Sequence, residues 1–419
     1  MWKSILLAGL LLLGAAPVRA DRILIPMDLN QTDHLKAYGM AYWVLEQGGE
    51  VEWLLNFRGG SFLIEESEII AREARIRGVS YEGIGGAEGT RIYAQIEREN
   101  MEVIRLEKAP KIAVYVPPTA QPWDDAVRLS LEYAQIPYET LWDREVLAGR
   151  LDEYDWLHLH HEDFTGQYGK FYASYRAAAW YIEQQRHFEQ MAASLGFQKV
   201  SEEKKSVARK IREYVIKGGF LFAMCSATDT IDIALAAEKT DLVAGIHDGD
   251  PADPDAQQKL DYSPCFAFEH FTLEKNALQY EFSDIDVQPD RGIGRGAEGD
   301  YFSLFEFSAK YDPVPTMLTQ NHTPVIRGFL GQTTAFDKDL IKRAIVIMGE
   351  AEDVAEVKYL HGNLGKGTFT FYGGHDPEDY QHRVGDPPTK LALHKHSPGY
   401  RLILNNVLFP AAEKKKRKT

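Results

Sequence analysis

The chain of 419 residues is 44% hydrophobic and 26% charged, with 34 Gly and 19 Pro, a composition that fills packed cores and excludes collagen-like, coiled-coil and disordered readings. At roughly 150 residues per domain, the length points to two domains or one large one with an insertion. Lys and Arg number 47 against 62 Asp and Glu, a net charge of -15 that repels polyanions, so no nucleic acid partner is expected.

Residues 1–20 read as a signal peptide: Lys3 supplies the positive start, Ile5 to Ala16 the apolar stretch, and Val18-Arg19-Ala20 the small-residue cleavage site. The apolar stretch is shorter than the roughly 20 residues that span a bilayer. A mature chain from Asp21, exported to the periplasm or cell surface without stable membrane insertion, is expected. Cys225 and Cys265 are the two cysteines, and in an oxidising compartment they are free to pair.

From Asp21 an apolar run, a helical pattern closed by Gly48-Gly49 and a second apolar run EVEWLLN read as a β-α-β unit. Helical stretches follow at 65–77, stopped by Gly78, and at 90–101, giving an N-terminal α/β segment over 21–107. A second cycle starts near Ile112: strand KIAVYVPP, helix PWDDAVRLSLEYAQI, strand PYETLWD, helix REVLAGRLDEY and strand DWLHLHHED. This alternation predicts a mostly parallel sheet flanked by helices. A Tyr-rich interruption at 165–197 leads to helix SEEKKSVARKIREYVIKGG and strand FLFAM. A loop-rich insertion spans about 242–312, regularity returns at AIVIMGE, GTFTFYGG and the helix YRLILNNVLF, and 411–419 forms a basic tail without assigned function.

In such a sheet ligands bind beyond the carboxyl ends of the strands, and three of these ends carry chemistry. GGFLFAMCSATDT reads as strand, sharp turn and helix with Cys225 at the turn between Ala223 and Ala227, the form of a nucleophile elbow whose helix N-terminus lowers a thiol's pKa. The alternative is a buried cysteine acting as a small apolar residue. GTFTFYGG brings His375 to the same edge as a candidate base, with Asp376 or Glu378 to orient its ring. In HLHHED, strand alternation groups His158, His160 and Glu162 on one side and His161 with Asp163 on the other. His160, His161, Glu162 and Asp163 are candidate substrate contacts. A divalent metal at His158, His160 and Glu162 is the less favoured alternative to hydrogen-bonded structural histidines, so no cofactor or metal is predicted. The acidic run from Asp248 to Asp255 lacks the Gly and terminal Glu of an EF-hand loop, and calcium is not expected there.

GGFLFAMCSATDT and GKGTFTFYGGHDPEDY resemble the two signature segments of ThuA-like (trehalose-utilisation) proteins, of the class I glutamine amidotransferase-like superfold. The resemblance covers about 108–410, and Ser226, Ala227, Thr228, Asp229, Thr230, Gly374, His375, Glu378 and Tyr380 match the pattern. It implies flavodoxin-like layering and adds Asp229, Asp376 and Tyr380, within these segments, as candidate substrate-binding residues. The family's usual His before the small residues is Cys225 here, the position of the nucleophile in glutamine amidotransferases. In those enzymes a Glu follows the catalytic His by two residues; here Glu378 follows His375 by three and Pro377 takes the nearer place. Over its full length the chain also resembles an exported bacterial family labelled asparagine synthetase B. It has neither the N-terminal catalytic Cys nor the Ser-Gly-Gly-x-Asp-Ser ATP loop of that enzyme, so the amidotransferase-like fold is what this resemblance implies.

Three functions follow. One is an exported hydrolase or amidotransferase-like enzyme acting on a small-molecule amide or ester, with Cys225 as nucleophile, His375 as base and Glu378 or Asp376 behind it, Tyr-rich residues 168–181 walling the pocket. Another is saccharide processing of the ThuA-like kind, with Glu162, Asp163 and Glu378 as acid and base groups. The last is an exported ligand-binding protein without turnover.

Overall fold

The structure is a computed structural model that describes residues 21–118, 120, 125–287, 300–351, 354–383 and 385–413. Residues 1–20, expected from the sequence to be a signal peptide, and residues 414–419 of the basic tail lie outside the described residues.

The N-terminal part contains β1 (Arg22–Ile25), α1 (His34–Glu46), β2 (Val51–Leu55), β3 (Ser61–Glu65), α2 (Glu68–Arg77), β4 (Glu82–Ile84), α3 (Gly86–Arg98) and β5 (Glu102–Leu106). Helix starts are set locally: Asp33 accepts from the Lys36 N–H and Ser67 from that of Ile70, while Gly78 at φ 73° stops α2. The five strands form one antiparallel sheet in the order β4-β1-β3-β2-β5. The expected β-α-β unit is therefore split, since β3 lies between β1 and β2. The cause is the turn at 56–60, where Asn56, Arg58, Gly59 and Gly60 all take positive φ and fold β3 back onto β2 as a hairpin.

The second part contains β6 (Ile112–Tyr115), α4 (Ala126–Ala134), β7 (Glu139–Leu141), α5 (Asp143–Leu147), β8 (Trp156–Leu159), α6 (Tyr172–Tyr175), α7 (Ala179–Ser194), α8 (Val200–Lys217), β9 (Phe220–Met224), α9 (Ala227–Ala236), α10 (Gly245–Asp248), β10 (Tyr301–Leu304), α11 (Pro313–Leu318), β11 (Val325–Arg327), β12 (Phe336–Asp337), β13 (Val346–Ala351), β14 (Glu356–Leu364), β15 (Gly367–Tyr372) and α12 (Pro398–Leu408). Among the described residues its strands form one mixed sheet in the order β11-β10-β13-β14-β15-β9-β8-β6-β7, with β12 also on β14. Only β15, β9, β8, β6 and β7 run parallel; the other half is antiparallel, which corrects the expectation of a mostly parallel sheet. Gly365 at φ 63° turns β14 into β15 as a hairpin, a connection that can only yield antiparallel strands. In the parallel half every residue of β6, β8 and β9 is buried, the continuous apolar run of a strand covered on both faces.

The 242–312 region is largely irregular where described, and it is packed. The buried Asp232 carboxylate accepts the N–H groups of Phe266, Ala267 and Phe268, and both phenylalanines enter the core under α9. No described helix is long and apolar enough to cross a membrane.

Buried charge ties the two parts together. Arg401 of α12 donates to the Met27 and Gly59 carbonyls at 3.0 and 2.6 Å and to His322 Nδ1 at 3.0 Å. His34, stacked on His322 at 4.7 Å, uses its Nε2 on the Met27 and Asp28 carbonyls, so that nitrogen carries the proton and bare Nδ1 accepts from His396. Burial and the Arg401 charge hold His34 down to about 3 and His322 to about 4. An unfolded histidine takes a proton near pH 6.5, so below that pH the unfolded chain binds more protons and stability falls as pH drops toward 4. Denaturant unfolding across pH 7 to 4 should show this decline, and His34→Gln should flatten it; an unchanged slope in the variant would remove the His34 contribution.

Candidate active site

The in-register parallel trio β8, β9 and β15 sets the site. Leu159 pairs with Ala223, Ala223 with Phe371, and Met224 with Tyr372, so the residues that follow the strands emerge side by side. These are His160, Cys225 and His375, all buried.

Cys225 occupies the turn between β9 and α9 at φ 51°, a left-handed conformation that costs a non-glycine residue about 1–3 kcal/mol. The turn is pinned by Cys225 N–H to the Gly374 carbonyl at 3.1 Å and by Ala227 N–H to the His160 carbonyl at 3.1 Å. The thiol sulfur faces the backbone N–H groups of Gln332, Thr333 and Ser226, with Gln332 at 3.3 Å. Burial nevertheless pushes the thiol up to about 11. A helix N-terminus contributes about 0.3–1 kcal/mol, and here desolvation outweighs it together with the three N–H groups, so the expected lowering by the helix is not seen. Both cysteines are free: Cys265 donates to the Asp232 carbonyl at 3.3 Å, and no disulfide joins it to Cys225.

Four imidazoles converge on this turn. His160 Nε2 lies 2.9 Å from His375 Nδ1, and ring centroids separate His375 from His160 by 4.3 Å, from His382 by 4.3 Å and from His161 by 5.6 Å. The Cys225 sulfur and one ring nitrogen each of His375 and His382 lie within 4.8 Å of one another. Burial and mutual repulsion hold His160 and His375 well below the usual histidine range, and both are neutral at pH 7.

The carboxylate behind the histidines is Asp125, which the sequence reading did not single out. Its Oδ1 stands 3.4 Å from His158 Nε2 and 3.6 Å from His160 Nδ1 and also accepts the Val127 and Arg128 N–H groups as the N-cap of α4. The two imidazoles and the cap hold the Asp125 carboxyl far below the usual range despite full burial. With Asp125 drawing the His160 proton to Nδ1, His160 Nε2 accepts from His375 Nδ1–H, which makes His375 Nε2 the unprotonated, accepting nitrogen.

The other expected residues are distributed differently. Glu378 is engaged by the Tyr380 hydroxyl at 2.9 Å and His394 Nδ1 at 2.9 Å, which corrects its place behind His375. Asp376 accepts the Glu378 N–H, and Tyr380 lies under the Arg327 guanidinium at 3.5 Å. The expected strand alternation through HLHHED fails because β8 ends at Leu159. His161 joins the histidines, and Glu162, pushed up by burial to about 7, lies within the electrostatic reach of Lys204, His161 and Asp143. No described metal-competent group combines His158, His160 and Glu162. Asp163 organises its own loop, accepting from the backbone of Thr165, Gln167 and Gly169. Asp229 accepts the Thr333 hydroxyl at 2.9 Å and, buried beside Asp286, is raised well above the usual carboxylate range. Of the tyrosines at 168–181, Tyr168 and Tyr181 are buried in the core with Phe188. The 329–334 loop over the sulfur was also missed; buried Lys358 holds it through the Phe329 and Thr334 carbonyls at 3.0 and 2.8 Å.

No protein-family model matches the chain. No curated protein matches it either. Among solved structures it is similar to two cytoplasmic proteins, from Salmonella typhimurium and Salmonella typhimurium LT2, at 10% and 12% identity; the matches cover 73% and 72% of this chain and 100% of each of theirs, both with a TM-score of 0.34. A GH42 β-galactosidase matches at 11% identity over 64% of this chain and 28% of its own, with a TM-score of 0.27. At these scores the likenesses carry no argument about fold or function.

The native Cys225 thiol should alkylate slowly at pH 7 and about tenfold faster per pH unit toward pH 11, as its thiolate fraction grows. Iodoacetamide rates on the folded protein measure this, and a fast rate already level near pH 7 would contradict a protonated resting thiol.

Proposed function

We propose that the protein is a cysteine hydrolase acting outside the cytoplasm on a small amide or ester, with Cys225 as nucleophile and His375 as general base. The observation that carries this reading is the left-handed Cys225 at a strand-to-helix turn, its sulfur facing backbone N–H groups from two separate segments and a neutral imidazole at its side. Buried apolar cysteines need no positive φ and no convergent donors. The parallel strands ending at this turn also support the resemblance to the amidotransferase-like and ThuA-like superfold, and residues 1–20 support export.

Thiol and imidazole both start neutral, so sulfur attack on the carbonyl carbon and proton transfer to His375 Nε2 belong to one step. The carbonyl π electrons move to oxygen, and the developing oxyanion is met by the N–H groups of Ser226 and the 332–333 segment. The imidazolium is stabilised through His160 by Asp125, the role a carboxylate plays in a catalytic triad, here one ring further away. Collapse breaks the bond to the leaving group, which takes the proton from His375 and departs. Water then attacks the Cys225 thioester with His375 again accepting the proton, and the acid leaves as the thiol is restored. Substrate approaches past His161 and His382, the two histidines of the cluster with solvent contact.

With a panel of small amides and esters, Cys225→Ala should abolish turnover. Asp125→Asn should lower kcat by about 10²-fold or more, and Glu378→Gln should stay within a few-fold of the parent. Turnover that survives in Cys225→Ala, or that falls with Glu378→Gln and not with Asp125→Asn, would overturn this assignment.

A further inference from the structure

We infer that His160, His161 and His375 form a binding site for a zinc-class divalent cation. One ring nitrogen from each of the three lies within 4.8 Å of the others. Three imidazoles with an open fourth position make the donor set of a catalytic or exchangeable zinc site rather than a closed structural one. Tetrahedral geometry with Zn–N of about 2.0–2.1 Å separates ligand nitrogens by about 3.3 Å. The present His160 Nε2 to His375 Nδ1 distance is 2.9 Å, so those two rings need part only slightly, and half-buried His161 closes from the solvent side.

A second observation points to the same site. Metal-binding histidines characteristically hand their other ring nitrogen to a carboxylate, which fixes the tautomer and presents a lone pair to the ion. Asp125 Oδ1 stands 3.6 Å from His160 Nδ1, on the far side of the ring from the nitrogen that meets His375. Asp125 is itself fixed by two backbone N–H groups at the start of α4, so the carboxylate is in place before any ion binds, a small ring shift short of a hydrogen bond to His160 Nδ1. One carboxylate against a dication leaves net positive charge open to an anionic or polar ligand at the fourth position.

Two other donor sets exist among the described residues: Cys225 with His375 and His382, which shares His375, and Asp125 with His158 and His160, which shares His160 and is buried throughout. The three-histidine set is favoured because it alone combines a ligand on the solvent side, His161, with a carboxylate standing behind another ligand. Cation binding consumes a His375 nitrogen and breaks its bond to His160. In terms of the hydrolase reading, on which this consequence alone rests, the loaded protein loses its base and is switched off.

The test is titration of the full mature chain with Zn²⁺ against a chromogenic chelator, and with Co²⁺ followed by its visible absorption. One equivalent is expected to bind. His161→Ala, a change at a half-buried side chain, should weaken binding at least tenfold while leaving the metal-free melting temperature within a few degrees. Cys225→Ser should keep the affinity, and the Co²⁺ complex should lack a thiolate charge-transfer band. No binding to the parent, binding indifferent to His161→Ala, or loss of binding in Cys225→Ser would each overturn the site. Because binding is read without substrate, it succeeds or fails independently of turnover: a dead hydrolase that binds Zn²⁺ refutes the function and keeps the site, and an active one that does not bind does the reverse.

Discussion

Register between three parallel strands governs the geometry of the candidate site. With Leu159, Ala223 and Phe371 side by side across β8, β9 and β15, the three strands end close together and the segments carrying His160, Cys225 and His375 leave the sheet at one edge. A shift of two residues in either pairing would separate His160, Cys225 and His375 by roughly 7 Å, beyond hydrogen-bond reach. The register is specified by side chains packed on both faces, Trp156, Phe222 and Tyr372 in one core and Leu157, Leu221 and Phe371 in the other. Stability of the core and geometry of the site are thus the same constraint.

Burial then decides the protonation states. Cys225, His160 and His375 are all inside, and desolvation favours the neutral form of each, against the pull of helix dipole and backbone donors. Asp125 is the exception. Two imidazoles and two N–H groups keep it ionised in full burial, and this single fixed charge orients the chain of rings that ends at the sulfur. The site therefore rests without a thiolate–imidazolium pair, and in the proposed reaction it makes charge only as the sulfur attacks.

Much of this was legible in the sequence, for reasons that differ by residue. The buried run FLFAM followed by Cys225 and small residues announces a strand end and turn, and GTFTFYGG before His375 does the same, because continuous apolar strands punctuated by glycine have few other structural uses. Asp125 was hidden because an acid before an apolar helical pattern is already explained as an N-cap, which it also is. Glu378 looked apt for its nearness to His375 in sequence, but the turn after Gly374 sends it toward Tyr380 and His394. The strand β14 and the antiparallel half escaped because Lys358 and His361 break its apolar pattern. Their burial is set by partners on other segments, the 329–334 loop for Lys358 and the facing Thr370 of β15 for His361.

The measurement that bears most directly on the account is to trap the acyl intermediate. The purified protein is incubated with an activated acyl ester near pH 8, quenched in acid, and mapped by peptide mass spectrometry. The account requires one acyl group on Cys225, formed in the parent and much more slowly in His375→Ala, with Cys265 unmodified. Turnover without any adduct on Cys225, or an adduct that forms equally fast without His375, would contradict it.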